Sequence, residues 1–301
     1  MSCMRVAVLA VLVCATVVSA QIRVDVDLVL LQATVTDQAG RYVMDLAPER
    51  FRVWEDKVEQ RIEYFSTENV PLTAGIVFDT SGSMTDKLPP ARAAAETFLR
   101  MGNRDDEYFL IVFSDSLHLV QDFTTDISKF LSPLLFAKAK GSTALYDALY
   151  LGLDKVARAD NPRKAILLIT DGADNHSRYS LSNVREFAKE HDVMIFSIGI
   201  LDPRDVQFSG VSGRRVLENL SDLTGGASFF PDSVDALDSI CEQIGAELKN
   251  QYVLGYRSSN RAADSRWRKI RLAVDRPSGM PPLSVRTKRG YYSSNALTVT
   301  R

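Results

Sequence analysis

The fold of this chain is decided by residues 72–83, which read Leu-Thr-Ala-Gly-Ile-Val-Phe-Asp-Thr-Ser-Gly-Ser. Their first part is an apolar run of the kind that forms a strand buried on both faces. A carboxylate and two hydroxyls follow at alternate positions, on Asp79, Ser81 and Ser83. Such hard oxygen donors suit a divalent cation such as Mg²⁺. The stretch therefore predicts a buried strand that ends in a turn able to bind a cation.

The region around this stretch, residues 69–250, alternates strand patterns with helix patterns. Apolar runs predict strands at residues 72–78, 108–113, 117–123, 165–170, 193–200 and 227–230, of which 117–123 is more polar and suits a sheet edge. Helical spacing predicts helices at residues 92–101, 126–138, 144–159, 182–190, 216–223 and 234–248. This alternation predicts an α/β fold, a doubly wound and mostly parallel sheet with helices on both faces.

Two later fragments are expected at the same edge of the sheet as Asp79. Asp171 ends the fourth predicted strand, and Thr143 opens the helix before it. In doubly wound sheets ligands bind beyond the carboxyl ends of the strands, where the strand order reverses. The first and fourth strands flank that point, so Asp79 and Asp171 should lie close together, and Gly141 lets the Thr143 loop approach. The hydroxyls would then contact Mg²⁺ directly, while the carboxylates would hold its water molecules.

Together these fragments resemble the metal-ion-dependent adhesion site of von Willebrand factor type A domains. The family pattern is Asp-x-Ser-x-Ser, a distal threonine, and an aspartate in a Thr-Asp-Gly turn. The matching positions here are Asp79, Ser81, Ser83, Thr143 and Asp171. The resemblance implies a Mg²⁺ site, which Mn²⁺ or Ca²⁺ could also fill. It further implies a partner protein that supplies an Asp or Glu side chain to the metal.

The regions on either side carry short strand patterns, at residues 21–68 and 251–301. Neither would bury much core alone, so we expect them to pair into one small β domain. The apolar phase slips near Leu30, which predicts a bulge or bend there. Motifs in both regions resemble exported bacterial proteins with a type A domain, common in Acidobacteria. These motifs lie at residues 51–56, 252–256 and 288–292.

Residues 1–20 have the pattern of a secretory signal peptide. Arg5 precedes an apolar run, and small residues lead up to Ala20, after which we expect cleavage. An uncleaved membrane anchor is the alternative, which the shortness of the run disfavours. The mature protein is expected to be exported, whether periplasmic, cell-surface or secreted, without a transmembrane segment. Cys241 would then be its lone cysteine, and its helical spacing predicts a core position.

Several classes of function find no support in the sequence. The formal net charge of −2 and the scattered basic residues give no indication of nucleic-acid binding. No Gly-rich loop with a lysine is present for nucleotide phosphates, and the three histidines do not have zinc-site spacing. No histidine or lysine is placed by the sequence to activate Ser81 or Ser83, so we expect no enzyme activity. Taken alone, residues 79–82 would also suit an Asx turn or an N-cap without a metal.

Other residues near the predicted metal edge have two interpretations each. His176 is expected at the rim rather than as a ligand. Tyr146 and Tyr179 are either rim anchors or ordinary packing residues. The polar loop 202–215 leaves the same edge, as a surface insertion or as part of the rim that faces a partner.

The sequence thus favours an exported, Mg²⁺-dependent protein-binding or adhesion module. A structural or assembly component of an envelope complex, in which the metal mainly stabilises the fold, is the alternative. A metal-dependent hydrolase is a third candidate, but it would need a general base beside the metal, and the sequence indicates none.

Overall fold

The computed structural model describes residues 28–171, 174–201, 213–262 and 264–293. The predicted signal peptide, the start of the first strand pattern and most of the loop 202–215 lie outside these residues. In chain order the strands are β1 (Leu28–Thr36), β2 (Phe51–Glu55), β3 (Val58–Gln60), β4 (Ile62–Ser66), β5 (Leu72–Asp79), β6 (Glu107–Phe113), β7 (Leu117–Thr124), β8 (Arg163–Thr170), β9 (Met194–Gly199), β10 (Ser228–Phe229), β11 (Tyr252–Arg257), β12 (Trp267–Val274), β13 (Ser284–Arg286) and β14 (Gly290–Tyr292). The α-helices are α1 (Leu88–Arg100), α2 (Ser128–Phe136), α3 (Leu145–Ala157), α4 (Leu181–Glu190), α5 (Gly213–Thr224) and α6 (Leu237–Lys249).

The central sheet has the strand order β10-β9-β8-β5-β6-β7. Its neighbouring strands run parallel, except that the edge strand β7 is antiparallel to β6. Strand β5 is buried along its whole length between β6 and β8. Apolar side chains of α1, α2 and α6 form the core on one face of the sheet, and those of α3, α4 and α5 form the core on the other. The predicted doubly wound α/β fold is confirmed.

The observed helix boundaries differ from the predicted ones by up to four residues. Helix α1 begins at Leu88 rather than at residue 92, because Pro89 and Pro90 occupy its first turn, where a proline costs no hydrogen bond. The predicted helix 234–248 is divided into a 3-10 turn, Val234–Ala236, followed by α6. Cys241 lies on α6 with a fully buried side chain, and this burial raises the pKa of its thiol to about 12. The thiol is therefore part of the core, as its spacing predicts.

The two flanking regions contribute strands to the same two sheets. One sheet has the order β13-β1-β11-β4 and the other β14-β12-β2-β3, so each contains strands from both ends of the chain. The sheets share an apolar core that includes Leu31, Phe51 and Tyr252. The bulge predicted near Leu30 is wrong, because β1 pairs with β11 without a break from Leu28 to Ala33. Side chains on both faces of β1 are at least half-buried, so the change of apolar phase needs no bend.

The β domain packs against the amino-terminal ends of the parallel strands of the central sheet. Lys288 forms an ion pair with Asp192, just before β9, and Arg289 forms one with Asp222 on α5. Helix α6 leads into β11 after two residues. Asp79, by contrast, ends β5 at the carboxyl edge. The candidate site therefore lies on the side of the central domain that faces away from the β domain.

Within the described ranges, none of the helices has both the length and the apolar composition needed to span a lipid bilayer.

Candidate metal centre

Asp79 is the buried centre of the candidate site. Strands β5 and β8 are neighbours in register, so Asp79, the last residue of β5, lies beside Thr170, the last residue of β8. The Thr170 hydroxyl donates to Asp79 Oδ2 at 2.6 Å, and the Ser81 amide donates to Asp79 Oδ1 at 2.7 Å. The Asp79 side chain is inaccessible to solvent. Both of its oxygens are thus fixed by the strand ends that meet where the strand order reverses.

Ser81, Ser83 and Asp171 form a chain of polar contacts next to Asp79. Ser83 Oγ donates to Asp171 Oδ1 at 2.8 Å, and Ser81 Oγ lies 3.2 Å from Ser83 Oγ. The backbone after Ser81 forms a single 3-10 turn, Gly82–Met84, which the fully buried Met84 anchors in the core. This turn holds the two serine hydroxyls on one side, toward Asp171. Four of the five predicted ligands therefore converge directly.

Thr143 is held beside these residues by its backbone. Gly82 N donates to Gly141 O at 3.0 Å and Lys140 N donates to Thr80 O at 2.9 Å, which joins the Thr143 loop to the Asp79 turn. Gly141 has a φ of +75°, and a β-carbon there would lie 2.7 Å from Asp115 Oδ2, so the loop requires glycine. None of the hydrogen bonds of the described residues joins the Thr143 hydroxyl to the other four side chains. Thr143 itself is buried, with 4% of its surface exposed.

Asn175 fixes Thr143 from the other side. The side-chain oxygen of Asn175 accepts a hydrogen bond from Thr143 N at 2.8 Å, and its backbone N–H donates one to Thr143 O at 3.0 Å. The segment that follows is bound to the start of α3, where Asp147 Oδ1 accepts from the amides of Arg178 and Tyr179. Asp171 thus supplies a carboxylate to the site, and the segment that contains Asn175 positions the threonine loop.

Lys87 is a charged neighbour of the site that the sequence analysis missed. Its Nζ donates to Asp171 Oδ2 at 2.6 Å, while the Asp171 carboxyl is fully buried. The available signal was its spacing, four residues after Ser83 and in the turn before α1. Thr170 and Asn175 were missed as well, although both lie within four residues of Asp171.

The electrostatics of the site are dominated by the burial of Asp79. Burial raises the pKa of Asp79 above the ordinary value of 3.8, and the nearby Asp171 charge raises it further, while three hydrogen bonds oppose the shift. A divalent cation would relieve both the desolvation of Asp79 and the repulsion between the two carboxylates. No group of three or more His, Cys, Asp or Glu residues among the described positions is arranged to hold a metal. A cation here would therefore rely on hydroxyls, and the three hydroxyls and two carboxylates fit the hard-oxygen preference of Mg²⁺.

The predicted rim residues lie near this edge with different degrees of exposure. The His176 side chain is exposed, and its amide donates to Thr143 O at 3.2 Å. Tyr179 is exposed on one face and stacks on Tyr150, with ring centroids 4.1 Å apart. Tyr146 packs against the core beneath α3, and burial raises the pKa of its hydroxyl. Tyr146 thus serves packing, whereas Tyr179 combines packing with a surface available to a partner.

Comparisons with known proteins agree with this architecture. Residues 75–173 match the family model of the von Willebrand factor type A domain. Calcium-activated chloride channel regulator 3A-1 of Mus musculus is 28% identical over 187 residues, which covers 57% of this chain and 19% of that protein. Calcium-activated chloride channel regulator 1 of Bos taurus is 29% identical over 164 residues, 52% of this chain and 17% of that protein. The chain thus spans less than a fifth of the length of these curated relatives.

A solved structure shows the same fold at low sequence identity. Proximal thread matrix protein 1 from the mussel byssus superposes with a TM-score of 0.50 and 17% identity, covering 64% of this chain and 50% of that one. Domains of the matched family generally mediate protein–protein interaction and adhesion. The matched residues include all five predicted ligands: four lie at or just after the ends of β5 and β8, and Thr143 lies in the loop between α2 and α3. The central domain of this chain is therefore a von Willebrand factor type A domain.

Proposed function

We propose that this chain is a Mg²⁺-dependent protein-binding module whose metal captures an acidic side chain of a partner protein. The observation that carries the proposal is the convergence of Asp79, Ser81, Ser83 and Asp171 at the point where the strand order reverses. The hydroxyls of Ser81, Ser83 and Thr143 would hold the metal. When bound, the metal would supply an electrophilic centre for a carboxylate. Neutral hydroxyl ligands leave most of its positive charge uncompensated.

The exposure of the site supports binding from solution. Ser83 is exposed at the surface, whereas Asp79 and Asp171 are buried beneath it. Ser83 is thus the surface-exposed member of the three hydroxyl residues, because Ser81 and Thr143 are buried like the two aspartates. A partner carboxylate could approach the metal from the exposed side without contacting either aspartate directly. The Ser81 and Ser83 hydroxyls contact each other and Asp171 rather than a histidine, which supports binding rather than nucleophilic catalysis.

We further propose that the module acts outside the cytoplasm, on the strength of the signal-peptide pattern in residues 1–20. The role of a structural or assembly component is the second candidate, and one observation favours it. The candidate ligands come from three loops that are far apart in the sequence. A metal that bridged these loops would also stabilise the fold.

Calorimetric titration with Mg²⁺ tests the site. We expect Ser83→Ala and Thr143→Ala to weaken Mg²⁺ binding at least tenfold, because each removes a hydroxyl that would contact the metal. Ser142→Ala is the matched control, since Ser142 is an exposed serine next to Thr143 and belongs to no predicted ligand set. Binding of Mg²⁺ that is unchanged in both ligand variants would contradict the proposed site.

Selection of a phage-displayed library of random peptides on the immobilised protein tests the binding function. We expect the peptides selected in the presence of Mg²⁺ to contain Asp or Glu. EDTA should release them, and they should not bind the Ser83→Ala variant. If Mg²⁺ binds and raises the melting temperature but no peptide depends on it, the metal is structural and the adhesion function is wrong.

A further inference from the structure

Helix α2 ends in a cluster of exposed apolar side chains. Phe136 is 72% exposed and Leu135 is 63% exposed, and these are the two most exposed large apolar residues in the described part of the chain. Leu131, one turn earlier, is 42% exposed. On the opposite face Phe130 and Leu134 are buried in the core, so the helix is anchored. The outer face of α2 is therefore a fixed apolar surface that no described element of the chain covers.

This apolar surface adjoins the candidate metal centre. Only residues 137–140 separate the end of α2 from Gly141. That linker is tied down at both ends, because Arg92 donates to Ala137 O and Lys140 N donates to Thr80 O at 2.9 Å. The Gly82–Gly141 hydrogen bond then joins the same loop to the Asp79 turn. A partner that places a carboxylate at the metal would thus be brought close to Leu135 and Phe136.

The charges between the two features are positive. Lys138 and Lys140 are exposed, and neither forms an ion pair with any described residue. Lys87 adds a third ammonium group at Asp171, where it is partly exposed. Asp115 is an opposing charge, and its carboxylate faces Gly141. The linker between the apolar helix end and the metal loops therefore presents two unpaired cations to an approaching partner.

We propose that Leu131, Leu135, Phe136, Lys138 and Lys140, hereafter the α2 rim, bind the segment of the partner protein that flanks its metal-bound carboxylate. The segment would carry bulky apolar side chains for the helix end and further acidic residues for the two lysines. This inference rests on the proposed metal-dependent function and defines the partner as an acidic–apolar segment. A shared contact of this kind would supply apolar area and charge complementarity beside a single metal contact.

The lysines argue against the simplest alternative occupant, a second copy of this chain. In a twofold dimer the same patch meets itself, so Lys138 and Lys140 would face their own counterparts across the contact. Like charges at an interface are unfavourable. A partner segment with both apolar and acidic side chains would instead pack against the apolar residues and pair with the two lysines.

The peptides selected in Mg²⁺ provide the probe for the α2 rim. The pool is expected to combine Asp or Glu with Leu, Ile, Phe or Trp, and the best peptide is synthesised and titrated by calorimetry. The double variant Leu135→Ser/Phe136→Ser should lose at least tenfold in peptide affinity, and Lys138→Glu/Lys140→Glu at least fivefold. Val58→Ser, at an exposed apolar residue of the β domain, is the matched control and should bind the peptide normally. Mg²⁺ affinity measured without peptide should be unchanged in Leu135→Ser/Phe136→Ser and in Val58→Ser, and Lys138→Glu/Lys140→Glu, which adds negative charge near the metal loops, should not weaken it.

The outcomes separate this inference from the proposed function. Peptides that require Mg²⁺ but bind the α2 rim variants normally would overturn the α2 rim while leaving the metal-dependent function in place. A pool without apolar residues would do the same. Failure of the wild-type protein to bind any peptide in Mg²⁺ would overturn both. A dimer seen by sedimentation that Leu135→Ser/Phe136→Ser abolishes would assign the surface to self-association instead, and would also overturn the inference.

Discussion

At the scale of single residues, the site is built around a carboxylate that is costly to bury. Asp79 has no solvent contact, and its pKa is raised by burial before any metal is considered. Its hydrogen bonds to Thr170 and Ser81 compensate only part of that cost. The metal-free protein is therefore destabilised at neutral pH by the same group that would help to hold the cation.

Asp79→Asn should stabilise the metal-free protein at neutral pH while it removes the response to Mg²⁺. The asparagine keeps the shape of the side chain without the buried charge. A gain of one kcal/mol corresponds to about 2–4 °C in melting temperature for a domain of this size. Thermal melts with and without Mg²⁺ measure both effects. A variant that melts lower than the wild type without metal would show that the hydrogen bonds outweigh the desolvation of Asp79.

The gain from Asp79→Asn should depend on pH with a defined sign. The pKa of the Asp79 carboxyl is higher in the folded than in the unfolded state. Protonation of Asp79 therefore stabilises the folded state, and this stabilisation is complete at a pH below the ordinary pKa of 3.8. It is lost as the pH rises through the raised pKa of the folded state. The difference in melting temperature between variant and wild type should therefore be largest at neutral pH and vanish near pH 4. A difference that is constant with pH would show that the Asp79 charge is not its cause.

Lys87→Met should strengthen Mg²⁺ binding about tenfold. Its ammonium contacts Asp171 Oδ2 at 2.6 Å and would repel a divalent cation held close by. Methionine keeps much of the aliphatic length and removes the charge. Lys129→Met, at an exposed lysine on α2, is the control and should leave the titration unchanged. Weaker binding in the Lys87 variant would mean that the lysine orients Asp171 rather than competing with the metal.

At the scale of elements, the site depends on three loops at the carboxyl edge of the central sheet. The Asp79 turn, the Gly141–Thr143 loop and the segment after Asp171 are linked mainly through backbone hydrogen bonds. The loop geometry, rather than side-chain packing, therefore sets the position of Thr143. Gly141 is its critical point, because it combines a positive φ with close contact to Asp115.

Gly141→Ala should weaken Mg²⁺ binding about tenfold and lower stability by more than its matched control. The control is Gly40→Ala, which has the same φ of +75° but has open space around its β-carbon position. Both variants carry the strain of an alanine at positive φ, on the order of 1 kcal/mol. Only Gly141→Ala also displaces Asp115 and the loop. Equal stability losses and unchanged Mg²⁺ affinity in both variants would show that the loop tolerates the contact.

At the scale of the whole molecule, the β domain holds the side of the central domain that is opposite the site. Glu247 on α6 is buried, and it accepts hydrogen bonds from Arg286 on β13 and from Thr34 on β1. This contact joins strands from both ends of the chain to the last helix of the central domain. The contact lies away from the carboxyl edge, where the candidate site is.

Arg286→Ala should cost about 2 kcal/mol or more in the free energy of unfolding, because it leaves the buried Glu247 carboxylate without its counter-charge. The matched control is Arg289→Ala, whose ion pair with Asp222 also joins the two domains but is exposed on both sides. That variant should change stability by no more than about 0.5 kcal/mol. Denaturant unfolding of both variants measures the difference, and equal losses would contradict the role assigned to burial.

Much of the fold was predictable because its signals are local. The apolar run of β5 and the alternation of strands and helices predict the doubly wound sheet, and the order of β5 and β8 then follows from the common topology. The start of α1 and the straight course of β1 were not predicted correctly. In both cases the sequence signal was ambiguous, since prolines fit either a boundary or a first turn, and a phase change fits either a bend or a strand buried on both faces.

The sequence alone was enough to predict the candidate ligands, since Asp79, Ser81, Ser83, Thr143 and Asp171 follow strand ends or open a helix at one sheet edge. The surroundings of these residues could be read only from the packed fold. The contact of Lys87 with Asp171, the clamp of Asn175 on Thr143 and the exposed α2 rim depend on how distant segments pack. The end of a buried strand can be predicted from the end of an apolar run in the sequence. The neighbours of a side chain, in contrast, depend on how the whole chain folds.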